Sequence, residues 1–228
     1  MTKTSQISPF SYEEFLKPLF EEGHSVLCLC LSGGLSASYN SALLARESLE
    51  EQFPGQKFYP VDTLSATGGV GVLTERALRN RANGMSLEEN YQDLVSATKK
   101  IRHWFLVQDL MYLKRGGRIS AATAVVGTAL KIKPILCINP EGKLDTIAKK
   151  RGDKLAANHI LDLFTESYDP TSGDVIYILD ADAPQLGDYL ETEVKRRFPD
   201  AEVRHTPLCP VIGSHTGPGM AAITHMGK

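Results

Sequence analysis

VLCLCLSGGLSASYNSALL, residues 26–44, holds a strand, a tight turn and a helix in nineteen residues. The apolar run Val26–Leu31 is bounded by a turn signal, the pattern of a strand buried on both faces. Gly33 and Gly34 allow a sharp bend and a close approach of backbone N–H groups to a ligand. A helix opening at Ser36 presents unpaired N–H groups and the positive end of its dipole. Ser32, Ser36 and Ser38 add three hydroxyls at the same place. The stretch therefore predicts a βα unit with a receptor for a small anion, phosphate or carboxylate, at the carboxyl end of the strand. The bland alternative is a turn whose glycines serve only the fold. Two nucleotide-binding motifs are excluded, because no Gly-Lys-Ser/Thr follows and the GxGxxG spacing is absent.

Outward from this unit the same grammar repeats. Ser8-Pro9 is an N-cap with proline at the first helical position, and Ser11 with Glu14 offers a competing capping box. Phe15, Leu16, Leu19 and Phe20 supply an apolar helical face. Pro18 predicts a kink or break in that helix, because an interior proline costs about 3 kcal/mol. The helix from Ser36 runs to Gln52 and is followed by a strand at Lys57–Val61. The run SATGGVGVL brings Gly68, Gly69 and Gly71 into a helix that ends before Asn83-Gly84, and Ser86 with Glu89 caps another. This β-α-β-α-α order is that of a parallel α/β layer. Two parallel strands are too few for an independent sheet. The second half must lend strands, or a first strand is missing from this sequence.

Beyond residue 98 the pattern changes. Strands are predicted at His103–Gln108, Pro134–Ile138, Leu144–Ala148, Val175–Leu179 and Glu202–Pro207, with a hairpin turn at Pro140–Lys143. Helices are predicted at Ala121–Leu130, Asp153–Phe164 and Gln185–Phe198. The chain ends in PVIGSHTGPG and a short apolar strand. The expected fold is α/β with two domains: a parallel α/β/α domain over 1–98 and an α+β domain with a mixed sheet over 99–228.

With 228 residues, 42% hydrophobic and 23% charged, the chain has the composition of an ordinary globular protein. A net charge of −2 gives it no general attraction to nucleic acid or anionic membranes. No apolar run approaches a transmembrane span, and a cytoplasmic location is expected. Residues 99–154 nevertheless carry 13 basic and 4 acidic side chains, while both flanks are acidic. That block favours an acidic or phosphorylated partner. The four cysteines, Cys28, Cys30, Cys137 and Cys209, lie in or beside strands and read as buried free thiols, with no metal and no cofactor expected.

Ser32, an aspartate (Asp62 or Asp180) and His215 follow the chain order of an α/β-hydrolase triad. The nucleophile elbow is only half present, since Cys30 stands where its first glycine belongs. Asp180 and Asp182 end a strand and read more simply as turn formers than as a metal pair. No other acid–base pair appears, so binding without chemistry is the better reading, with a serine hydrolase using Ser32 and His215 as the alternative.

Several motifs together resemble the DegV family of fatty-acid-binding proteins (EDD fold): TSQ at 4–6 with SP at 8–9, LSGGLSASYNSA at 31–42, VDTLSATGGVG at 61–71, LKRGGRIS at 113–120, IKPIL at 132–136, KKR at 149–151 and PVIGSHTGPG at 210–219. The resemblance implies a bacterial lipid carrier with one long-chain fatty acid in an apolar tunnel between two domains. It implies that Thr4 and Ser32 hold the carboxylate with His215 nearby, and Ser5, Gly33 and Ser36 of the same polar turns complete the expected ligand site. It further implies presentation of the acid to a fatty acid kinase, a DAK-like ATP-binding protein, with Arg118 and Arg151 tied to that partner. Three departures stand out. Ser32-Gly33 replaces a frequent Ser-Ser, Ile7 replaces a proline, and the segment with the family's first strand does not precede Thr4.

Overall fold

A computed structural model describes residues 3–120 and 131–228; the helix expected at 121–130 lies outside them. The chain opens with α1 (Pro9–Glu21), capped by Ser8, whose side chain accepts from the Ser11 amide. Ser11 therefore does not cap a competing helix. α1 runs through Pro18 without a break. Proline removes one N–H, yet Tyr12, Leu16 and Phe20 remain buried on one face, and that burial outweighs the lost bond.

β1 (Val26–Cys30), α2 (Ser38–Gln52), β2 (Phe58–Asp62), α3 (Gly68–Ala82) and α4 (Leu87–Thr98) follow. α2 begins at Ser38 rather than Ser36, because the Ser36 hydroxyl accepts from the Ser38 amide and so stays outside the helix. The capping box of α4 forms as the sequence predicts, between Ser86 and Glu89. β1 and β2 pair in parallel, Val26 with Phe58 through Cys30 with Asp62. The sheet stays at two strands among the described residues, and the second half lends it none. β1 is accordingly half-buried over Val26–Leu29 rather than enclosed on both faces.

The second half supplies β3 (Ile101–Leu106), α5 (Leu110–Arg115), β4 (Ile132–Ile138), β5 (Leu144–Arg151), α6 (Asp153–Ser167), β6 (Ile176–Ala181), α7 (Pro184–Arg197), β7 (Val203–Pro207), α8 (Pro210–Thr216) and β8 (Met220–Met226). Its mixed sheet has the order β5-β4-β3-β8-β6-β7, with only β6 and β7 parallel. The β4–β5 turn closes as expected, with the Gly142 amide on the Asn139 carbonyl and Gly142 in a left-handed conformation. β3 starts two residues earlier than predicted, and β5 extends to Arg151.

The layers stack in a definite order. α6 and α7 cover one face of the six-stranded sheet through Ile160, Phe164, Leu190 and Val194. On the other face, α3 and α4 bring Val72, Leu73 and Leu94 into one cluster with Ile101, Val175 and Met226. Leu27 and Leu29 of β1 pack on that same cluster, while α1 and α2 cover the opposite side of β1 and β2. The turn at Lys99–Lys100 thus divides the chain but not the hydrophobic core: α3 and α4 are shared between the two sheets. The TGGVG run makes this sharing possible. A Cβ at Gly68 would stand 2.7 Å from Leu179, and one at Gly71 would stand 2.7 Å from the Tyr177 ring. Among the described residues no helix is long and apolar enough to cross a membrane.

Candidate functional site: a lipophilic cavity with a polar corner

A cavity of about 1020 Å³ lies between α1, β1 and α3 on one side and β3, β8 and α8 on the other. Every residue from Val26 to Leu31 borders it. Since successive residues of a strand point in opposite directions, β1 meets the cavity edge-on, along the side away from β2. Most of the lining is apolar, with Phe15, Leu16 and Leu19 from α1 and Phe105, Met220 and Ala222 from the six-stranded sheet.

Polar groups gather at one corner. Thr4 Oγ1 and His215 Nε2 are 2.8 Å apart, across 211 residues of sequence. Beside them Arg118 donates from Nε to the Leu35 carbonyl (3.1 Å) and from Nη1 to the Gly116 carbonyl. Burial, and next the nearby Arg118 charge, hold the His215 imidazolium below its usual range, so the ring is neutral at pH 7. The other ring nitrogen, Nδ1, is buried without a partner. It rests against Gly116, where any Cβ would overlap the ring. Ser5 and Ser36 border the same corner, and Ser36 Oγ lies 2.9 Å from Ser38 Oγ.

The Ser32 turn behaves differently from the anion receptor that its sequence predicts. Ser32 is fully buried and does not border the cavity. Its hydroxyl donates to the Gly142 carbonyl at 2.7 Å and accepts from the Gly34 amide at 3.2 Å. The Gly33 amide donates to Asp62 Oδ1 at 3.0 Å. The glycines are needed all the same: a Cβ on Gly34 would stand 2.6 Å from the Gly142 carbonyl oxygen, so the β4–β5 turn docks directly on this loop. Both loop amides and the serine proton are thus committed to the protein itself. His215 does not face Ser32, its partner being Thr4, and Asp62 is engaged by the amides of Gly33 and Leu64. The triad order in the sequence does not become a triad in space.

The two arginines also part company. Arg118 borders the cavity, whereas Arg151 ends β5 at the surface, on an outer strand of the sheet. Cys28 and Cys30 lie on the cavity wall with their sulfurs 3.8 Å apart, and the Tyr12 hydroxyl is 3.8 Å from Cys30. Hydrogen bonding to Cys30 lowers the Cys28 thiol, while that same contact and burial raise Cys30. All four cysteines are free, and Cys209 is exposed rather than buried, since it caps α8 at the surface.

The family model of the uncharacterised DegV family matches residues 1–228. The chain belongs to the DegV family. The DegV domain-containing protein YteA of Lactococcus lactis is 38% identical over 227 residues, which covers 99% of this chain and 78% of that protein. A Clostridium perfringens DegV domain-containing protein is 34% identical, with 100% of this chain and 78% of that protein covered. Among solved structures, a fatty-acid-binding DegV family protein from Thermus thermophilus superposes with a TM-score of 0.85 at 33% identity, over 99% of this chain and 79% of that one. The fatty acid kinase B3 protein of Streptococcus pneumoniae, loaded with linoleic acid, has the same fold, with a TM-score of 0.90 at 23% identity over 99% and 78% of the two chains. The DegV fold expected from the sequence is the one observed.

Proposed function

We propose that this DegV protein holds one long-chain fatty acid, with its hydrocarbon tail in the β1 cavity and its carboxylate at the Thr4–His215–Arg118 corner. One observation carries the reading: a large, mostly apolar cavity ends at a corner that holds a hydroxyl, a neutral imidazole and a guanidinium. Both parts are needed for an amphiphile. Each buried methylene contributes about 0.8 kcal/mol, so a tail of sixteen carbons supplies on the order of 10 kcal/mol before ordering costs. The charged head cannot follow the tail into an apolar wall without a donor. The Thr4 hydroxyl and the Arg118 guanidinium provide such donors, and a hydrogen bond to a charged group is worth about 1.5–3 kcal/mol. Ser32 and Gly33 act one step back: they fix the loop that carries Leu35, the residue on which Arg118 rests. The fatty acid bound by the Thermus relative supports the same class of ligand here.

Presentation of the acid to a fatty acid kinase is the second part of the proposal. The fatty acid kinase B3 protein of Streptococcus pneumoniae shares this fold, and the basic block that holds Arg151 suits a partner carrying ATP. Arg118 is reassigned to the pocket, and Arg151 is kept for the partner.

Native mass spectrometry of protein purified from a bacterial host tests the first part, with one C14–C18 acid per chain as the expected result. An apo mass that persists after incubation with oleate overturns it. No observation favours the hydrolase: the Ser32 proton is spent on Gly142. Fluorophosphonate labelling of Ser32 would restore it.

A further inference from the structure

Away from the cavity, three side chains converge between α7 and β7. His205 lies on that strand, in register with Ile178 of β6. Asp188 and Glu191 are three residues apart on α7 and so share one face of the helix. His205 Nδ1 is 3.1 Å from Glu191 Oε2 and 3.6 Å from Asp188 Oδ1. The ring is brought in close because α7 has Gly187 at the point of contact, where any Cβ would overlap Nε2.

The other ring nitrogen also faces a carboxylate. Nε2 lies 3.1 Å from Asp180 Oδ2, and the Asp180 side chain is only 10% exposed. The second Asp180 oxygen accepts from the Ala183 amide, so both ring nitrogens face carboxylate acceptors, and a neutral ring with its proton on Nε2 satisfies only Asp180. Nδ1 then turns a lone pair toward two carboxylate oxygens. Three electron-pair donors facing one another repel unless a cation stands between them. Either a second ring proton or a metal ion fills that place.

We infer that His205, Asp188 and Glu191 form a binding site for a divalent transition-metal ion, with Asp180 as the positioning residue behind the histidine. Ligand bonds of about 2.1 Å at tetrahedral or octahedral angles put neighbouring donor atoms about 3.0–3.4 Å apart. Two of the three donor spacings, 3.1 and 3.6 Å, lie within or just beyond that range, and all three donor atoms lie within 4.8 Å of one another, so movement of the exposed Asp188 closes the site. A carboxylate behind a ligating histidine is the arrangement that fixes ring orientation and raises ligand basicity. One imidazole and two carboxylates suit Zn²⁺, Mn²⁺ or Co²⁺ better than soft monovalent ions. Lys195 already holds the other Glu191 oxygen, at 2.6 Å, which keeps this carboxylate ionised and aimed. Three protein ligands leave room for water. The bound ion joins α7 to β7, the outer strand of the six-stranded sheet.

Calorimetric titration of untagged, metal-stripped Cys209→Ser protein with ZnCl2 tests the site, the substitution removing the exposed thiol as a competitor. The expected result is one ion per chain, abolished by His205→Gln and weakened about 10- to 100-fold by Asp180→Asn. Glu191→Gln, checked by circular dichroism, replaces His205→Gln should that variant misfold. Co²⁺ gives a second readout, a visible band of nitrogen and oxygen ligation without thiolate charge transfer. No saturable binding at 100 µM metal, or binding unchanged in the folded variants, overturns the inference.

Discussion

Gly116 and Arg118 adjoin the chemistry proposed for the cavity corner, and they act in opposite ways. Gly116 matters for what it lacks. Its bare Cα lets the His215 ring sit against the turn that ends α5, with Nε2 turned to Thr4. Gly116→Ala forces the ring out and breaks that pair. We expect fatty-acid retention to fall at least 10-fold while far-ultraviolet circular dichroism stays unchanged. Arg118 matters for its charge. Arg118→Ala removes a charge-assisted contact worth about 1.5–3 kcal/mol, so the dissociation constant for oleate, measured by fluorescence displacement, should rise about 10- to 100-fold. Retention unchanged in Arg118→Ala would move this residue back to the surface role that its basic neighbourhood first suggested. The serine turn shows why the sequence misdirects at this scale. A glycine amide beside a hydroxyl is a sound anion receptor, and residues 32–36 contain all its parts. What claims the serine proton is the Gly142 carbonyl, 110 residues away, and Asp62 takes the Gly33 amide. No local pattern shows which backbone group will arrive to take a proton.

At the scale of elements the sequence reads far better, because helices and strands announce themselves locally. Ser8-Pro9 and the Ser86–Glu89 box start α1 and α4 where predicted, and the Asn139–Lys143 turn joins β4 to β5. The misreadings share one cause. Pro18 predicts a break in α1 and Ser36 an early start to α2, but burial of the α1 face and a competing side-chain bond decide otherwise. The β3–β8 pair carries a prediction of its own. His103 and His225 sit on adjacent strands, buried, with pKa values driven down to about 3 and about 4, chiefly by burial. Unfolding returns both rings to about 6.5. The unfolded chain therefore takes up protons first as the pH falls below 6.5, and stability contributed by the neutral rings is lost progressively toward pH 4 and then pH 3. Each ring adds a slope of up to about 1.4 kcal/mol per pH unit. Urea midpoints measured between pH 7 and pH 4 should fall accordingly, and His103→Gln should flatten the fall by about half. A flat profile in the wild-type protein would show that neither ring is held neutral.

The whole molecule is two sheets that share one layer of helices, and its cohesion depends on how that layer is fastened. Arg76 of α3 makes two bonds to Asp93 of α4, at 2.6 and 2.8 Å, and reaches Asp174, which also receives Arg79. Asp174 lies in the segment leading into β6, and its side chain is 1% exposed. Removing one member of a buried ion pair costs about 3–5 kcal/mol, because the opposite charge stays behind. Asp174→Ala should therefore destabilise the entire chain in a single urea transition. Two separate transitions would show instead that the halves unfold independently. Charge is divided on the same scale. Arg151→Ala, distant from the cavity corner, should leave oleate retention intact and lower kinase-dependent phosphorylation, read as acyl-phosphate formed per chain.

Near the cavity corner, three contacts bridge the halves of the sequence: Thr4 to His215, Ser32 to Gly142 and Arg118 to Leu35. On the proposed function, an acid that has to pass these contacts leaves only when they open, and its residence time then follows an internal breathing motion and not encounters with an acceptor. Transfer of a fluorescent acid to lipid vesicles should then run at one rate whatever the vesicle concentration. A rate that climbs in proportion to vesicles would mean that delivery happens by collision, with the acceptor itself prising the mouth apart.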